Sequence, residues 1–326
     1  MQVMRVVGEA SRRAALAKGA ELLRAGRLVA FPTETVYGLG ANALDEAAVQ
    51  RIYDAKGRPA INPIIVHVAS AAAARELALD WPVAADAIAR AFWPGPVTLV
   101  VRKHAVVPDI VTAGGDTVGL RVPAHPLALA LLELAQVPVA APSANLSTQV
   151  SPTTAEHVER GLADRVDLII DGGATNVGIE STVVDVTGGV PRILRPGMVA
   201  RDAIARVAGA AEVASALAAR DVPRSPGTMD KHYAPSAPVR LVSAGALRGL
   251  VAAERRGGAR VGVLAFAAAD ADAGRVMPGA PEAYARLLYA ALHEMDDERC
   301  DIVLVERPPE APEWAAILDR LERAAG

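Results

Sequence analysis

The fold turns on one stretch, Leu28-Val29-Ala30-Phe31-Pro32-Thr33-Glu34-Thr35-Val36-Tyr37-Gly38-Leu39-Gly40-Ala41-Asn42-Ala43. Its first four residues are a short apolar run between Gly26 and Pro32, which reads as a buried strand. Gly38 to Ala43 fits G-x-G-x-x-A, the fingerprint of dinucleotide-binding folds. That fold needs the strand to lead straight into the glycines, so that the next helix starts at the phosphates. Here Pro32–Tyr37 intervenes and brings in Thr33, Thr35, Glu34 and Tyr37. The sequence therefore reads Pro32–Asn42 as a turn-rich polar loop and sets the dinucleotide reading aside. No glycine directly precedes any lysine, so a P-loop is excluded.

Outward from this stretch, periodicity predicts helices over 11–25, 45–55, 70–79, 82–92, 126–135 and 154–162, with Asp45 as a helix cap. Apolar runs predict strands at 64–68, 97–102, 118–122, 137–141, 167–170, 182–186 and 191–195. Strands and helices mix without strict alternation, which implies an α/β domain on a twisted mixed sheet. Residues 202–220 read as an Ala-rich helix. Residues 222–238 hold Pro223, Pro226, Pro235 and Pro238 and read as a linker. Strands at 239–242, 260–266 and 301–305 are then each followed by a helix, at 245–254, 282–296 and 313–324. That order implies a small parallel sheet. The expected organisation is a first domain over 1–210, a linker or lid over 211–238, and a second domain over 239–326.

Composition narrows the function. The 326 residues carry a net charge of −3, which argues against bulk capture of nucleic acid. Of 34 basic residues, only Lys18, Lys56, Lys103 and Lys231 are lysine. The single cysteine, Cys300, excludes an internal disulfide and a Cys-rich metal site. No signal peptide or membrane-spanning apolar run is read, so the expectation is a cytoplasmic chain.

Four constellations carry chemistry. Lys56-Gly57-Arg58, with Asn62-Pro63 and His67 behind it, can converge on an anion. A basic helix end stabilised by its dipole is the alternative. Pro142-Ser143-Ala144-Asn145 leaves an apolar strand, where α/β folds place ligands. Ser151-Pro152-Thr153-Thr154 follows, and its threonines also suit a helix cap. Glu180-Ser181-Thr182 and Arg195-Pro196-Gly197 flank two further strands; Arg195 alone reads equally as a solvated charge. Arg121 interrupts the apolar strand Gly119–Pro123, and a buried guanidinium needs either a structural or a substrate carboxylate. In the linker, His232 and Tyr233 stand side by side among prolines, as a stiff lid would.

Taken in order, Pro32–Gly40, Lys56–Arg58 with Asn62-Pro63, Trp93–Pro96, Gly119–Pro123, Pro142–Asn145, Ser151–Thr153, Glu180–Asp185, Arg195–Gly197 and His232–Pro235 resemble the threonylcarbamoyl-adenylate synthase family in its long, two-domain form. One departure is Ser147-Thr148, where the family usually has Ser-Gly. The resemblance implies a YrdC-like catalytic domain followed by a Rossmann-like domain. It also implies condensation of L-threonine, bicarbonate or CO2 and ATP, releasing pyrophosphate, with Mg2+ accompanying the nucleotide. Other proteins would pass the product to adenosine 37 of tRNA, so no stable nucleic-acid binding is required. By resemblance Arg121 holds the threonine carboxylate, and Thr35, His67, the Ala141 backbone and Ser181 complete that pocket. Lys56 and Arg58 neutralise the phosphates. Asn62, Thr117, Ser143, Asn145, Ser151 and Arg195 line the nucleotide, and Tyr233 with His232 covers it. His67 is the one residue considered as a general base. A non-catalytic RNA-binding protein on the same scaffold is the alternative.

Overall fold

A computed structural model describes residues 1–59, 61–213 and 233–326. The chain divides into two compact units. The first comprises 1–146, 152–176 and 180–228; the second comprises 147–151, 177–179 and 229–326.

The first unit is built on a mixed sheet of eleven strands: β1 (Gln2–Arg5), β2 (Val29–Pro32), β3 (Tyr37–Asn42), β4 (Val66–His67), β5 (Val97–Arg102), β6 (Thr117–Arg121), β7 (Val139–Ala140), β8 (Leu168–Asp171), β9 (Thr182–Asp185), β10 (Arg192–Arg195) and β11 (Glu212–Val213). Their order is β1-β8-β2-β3-β7-β4-β6-β5-β9-β10-β11. Successive residues enter different cores. Val29 and Phe31 pack in one cluster with Leu168 and Ile170, while Ala30 and Ile169 pack in the other. This is the two-residue alternation of a sheet covered on both faces.

The sequence reading needs one correction here. Tyr37–Asn42 is no loop: it is strand β3, antiparallel to β2, with Val29 opposite Gly40 and Phe31 opposite Gly38. Its glycines serve packing, since a Cβ on Gly40 would sit 2.7 Å from the Phe31 ring and 2.8 Å from Val139. The helix expected over 202–220 spans Arg201–Ala208 and stops at Gly209, whose φ is 82°. Residues 214–232 lie outside the described residues.

Local signals set the helix ends that matter for the site. Asp45 caps Glu46–Lys56, its carboxylate accepting from the Ala47 and Ala48 amides at 3.0 and 3.1 Å. Gly57 ends that helix in the left-handed region, with φ 59°. Lys56 is thereby fixed on the last turn, with Arg58 just beyond it.

The second unit holds four parallel strands, β12 (Val239–Val242), β13 (Val261–Ala265), β14 (Ala273–Val276) and β15 (Ile302–Glu306), in the order β12-β15-β13-β14. The expected parallel sheet is present. Strand β14 was not anticipated because it is an edge strand of alternating half-exposed and exposed residues with no apolar run. Among the described residues no helix is long and apolar enough to cross a membrane.

Candidate active site

Sheet register brings distant polar residues into one row of the first unit. His67 at the end of β4 stands opposite Arg121 at the end of β6. Strand β5 follows β6, and its Thr98 stands opposite Val183 of β9, which in turn faces Arg195 of β10. The row is buried along its length, although it contains two guanidinium groups and an imidazole.

Arg121 is held at three points. Nε donates to the Gly95 carbonyl at 3.2 Å, Nη1 to Thr35 Oγ1 at 3.0 Å, and Nη2 to Glu34 Oε1 at 2.7 Å. The sequence required a partner for this cation, and Glu34 is one. Three of five guanidinium N–H groups are thus engaged, leaving two for a further acceptor. Thr35 and Glu34 sit at the tip of the β2–β3 hairpin. Thr33 Oγ1 locks that tip, accepting from the amides of Thr35 and Val36 at 3.2 Å and donating to the Val36 carbonyl at 2.6 Å.

His67 packs edge-on against Phe31, with ring centroids 6.5 Å apart. Its Nδ1 is buried without a hydrogen-bond partner. Burial and the Arg121 charge push its pKa down to about 3. An imidazole so held stays neutral, and its basicity lies far below an α-amino group's value of about 8.

Arg195 is not a solvated charge. It is buried, with Nε and Nη2 donating to the Ser181 carbonyl at 3.1 and 3.0 Å, and Nη2 also reaching Ser181 Oγ at 3.1 Å. Ser181 Oγ in turn lies 2.8 Å from Thr98 Oγ1. Thr98 was not anticipated; its hydroxyl sits in a strand that reads only as apolar core.

Lys56 is buried and its Nζ donates to the carbonyls of Ser143 and Asn145, both at 2.6 Å, and to Asn145 Oδ1 at 3.3 Å. Burial and the nearby Arg58 hold its pKa well below the usual lysine value, and the three oxygens oppose that by favouring the charged form. The ammonium therefore braces the Ser143–Asn145 segment. That segment is also tied to β3, through a bridge between Ser143 and Gly38. The Ala141 amide donates to the Ile65 carbonyl at 2.9 Å, two residues before His67. Arg58 is buried against its own loop, with Nε donating to the Asn62 carbonyl at 3.3 Å and Nη2 to that of Pro63 at 2.9 Å. Tyr53, another residue the sequence reading missed, donates to the same Asn62 carbonyl at 2.9 Å. Thr117 opens β6, opposite Arg102 of β5.

Three positions remain. Ser151 and Tyr233 belong to the second unit. The Ser151 carbonyl lies 3.2 Å from His293 Nε2, and Tyr233 stacks on Tyr289 at 5.8 Å with the Arg320 guanidinium 5.2 Å from its ring centre. His232 lies outside the described residues. Thr154 takes the capping role foreseen for it, accepting from the His157 amide at 3.3 Å.

Comparison with known proteins shows the family. Residues 21–197 match a family model described as "Telomere recombination", and residues 199–326 match that of "Threonylcarbamoyl-AMP synthase, C-terminal domain". The threonylcarbamoyl-AMP synthase of Pyrococcus abyssi is 45% identical over 94% of this chain and 93% of its own. That of Bacillus subtilis is 42% identical over 95% and 93%. The crystal structure of P. abyssi Sua5 complexed with L-threonine has a TM-score of 0.94 at 43% identity, covering 99% of this chain and 97% of that one. E. coli YciO shares the fold alone, at TM-score 0.53 and 24% identity over 60% of this chain and 94% of its own. With family models along both parts of the chain and such relatives across nearly all of it, the chain belongs to the threonylcarbamoyl-AMP synthase family.

Proposed function

We propose that this chain is a nucleotidyltransferase that condenses L-threonine, bicarbonate or CO2 and ATP into threonylcarbamoyl-AMP and pyrophosphate. The observation that carries the reading is the buried row of His67, Arg121 and Arg195, in a chain whose relatives bear the name of that activity. Nothing in an ordinary core calls for two buried guanidinium groups with hydroxyl partners.

Threonine enters with its carboxylate on the two remaining Arg121 N–H groups, bidentate. Thr35, His67, the Ala141 backbone and Ser181 surround it. The threonine ammonium releases a proton to solvent. The free amine attacks the carbon of CO2 and loses a second proton to solvent to give the carbamate, and a carbamate oxygen then attacks the α-phosphorus of ATP. The bond from that phosphorus to the bridging oxygen breaks, and pyrophosphate leaves with the electron pair. Such transfers gain mainly from positioning and charge neutralisation. Arg58 supplies positive charge to the phosphates. Lys56 acts through the Ser143–Asn145 segment it braces, and Asn62, Thr117 and Arg195 line the nucleotide. Mg2+ bound with the ATP phosphates would offset their charge. Among the described residues no three His, Cys, Asp or Glu side chains converge. The product serves tRNA threonylcarbamoylation by other proteins in the cytoplasm, and a net charge of −3 suits a step that does not hold tRNA. The RNA-binding alternative is not favoured by relatives named as synthases and matched over 93% of their length.

The test uses the full-length chain with ATP and bicarbonate, with and without L-threonine. Mass spectrometry is expected to find threonylcarbamoyl-AMP, with pyrophosphate release that needs threonine. Pyrophosphate release indifferent to threonine overturns the reading.

A further inference from the structure

An α-amino acid is a zwitterion, so a buried site for it must satisfy an anion and a cation together. The pocket read above supplies the first through Arg121. Thr35, His67, Ala141 and Ser181 carry no negative charge, and His67 stays neutral, so none of them supplies a counter-charge to the ammonium.

Glu34 does. Its Oε1 accepts from Arg121 Nη2 at 2.7 Å, while Oε2 is buried and has no hydrogen-bond partner. A carboxylate present only to neutralise Arg121 would be expected to use both oxygens on the guanidinium fork. Leaving one oxygen buried and unpaired is unfavourable unless a donor arrives with the ligand. The hairpin tip around Glu34 is held by Thr33, so the carboxylate is fixed before any ligand binds. The unused valences of this one ion pair, two N–H groups and one oxygen, match in sign the two ends of an α-amino acid. We infer that Glu34 is the specificity-determining residue that receives the α-ammonium of the amino-acid substrate on Oε2, beside the carboxylate held by Arg121. The assignment rests on the synthase reading and extends it to a residue which that reading leaves without a role.

Titration calorimetry on the full-length chain compares L-threonine with 3-hydroxybutanoate, which is threonine without its ammonium. The wild-type chain is expected to bind threonine roughly 10- to 100-fold more tightly, as for a hydrogen bond between charged groups. Glu34→Gln is expected to remove most of that preference while the thermal unfolding curve stays cooperative. If Glu34→Gln does not fold, Glu34→Asp shows the same selective loss for threonine, because its shorter side chain withdraws the oxygen. Equal wild-type affinities for the two ligands overturn the assignment, and so does a variant that keeps the full preference. A wild-type chain that turns over threonine while Glu34→Gln keeps the preference sinks this assignment alone. A wild-type chain that neither binds nor consumes threonine sinks the synthase reading and the assignment with it.

Discussion

The two units bury very different things. Among the described residues, every buried polar or charged side chain except Ser151 and Arg320 belongs to the first unit, from Thr33 and Glu34 through Lys56, Arg58 and Arg121 to Arg195. The second unit packs Val251, Val261, Val263, Ile302 and Leu304 into an ordinary aliphatic core. Both use strands covered by helices, so architecture does not explain the contrast. Burying a charge is costly unless it is paired, and the first unit accepts that cost at one row of its sheet. The difference teaches where to look for function: in the unit whose interior violates the usual partition of polar and apolar groups.

The comparison breaks most sharply at the cations. Arg58→Ala is expected to lower turnover by about 10²–10³, the usual loss for a charge-stabilising donor, with a cooperative unfolding transition retained. Unchanged threonine-dependent pyrophosphate release in that variant removes the phosphate role. Arg121→Ala strands Glu34, and loss of one partner of a buried pair is expected to cost about 3–5 kcal/mol in urea denaturation. Leu304→Ala in the second unit opens a cavity, at about 2–5 kcal/mol, but turnover per folded molecule stays near wild type. If Leu304→Ala abolishes turnover in folded protein, the contrast between the units fails.

A pH series sharpens the same point. His67 is pushed down to about 3, and burial lowers His125 as well, so the unfolded chain takes up these protons first as pH falls. The stability held by neutral His67 is complete above its ordinary value of about 6.5 and is lost between there and about 3, by at most about 1.4 kcal/mol per pH unit. His67→Gln is expected to flatten that part of the curve; an unchanged slope shows that His67 does not carry it. The smallest effect concerns the residue that departs from the family pattern. Thr148 adopts φ 71°, in the left-handed region that β-branched residues disfavour. Thr148→Gly relieves this strain, and with the added freedom of the unfolded chain set against it the expected net gain is about 1 kcal/mol in thermal or urea unfolding. A loss of stability there contradicts the strain.

The sequence alone determined the class of fold, the parallel sheet of the second unit, and the caps at Asp45 and Thr154. These follow from periodicity and from chain neighbours a few residues apart, which short-range sterics and hydrogen bonding govern. It misread Tyr37–Asn42, because glycines that make room for Phe31 and Val139 look like turn residues until the neighbouring strands are in place. Only tertiary structure decided that Arg121 meets Thr35 and Glu34, 86 and 87 residues away, that Thr98 links Ser181 to the row, and that Lys56 braces a loop. Such pairings depend on strand order and register, and those are fixed by how whole apolar faces pack together.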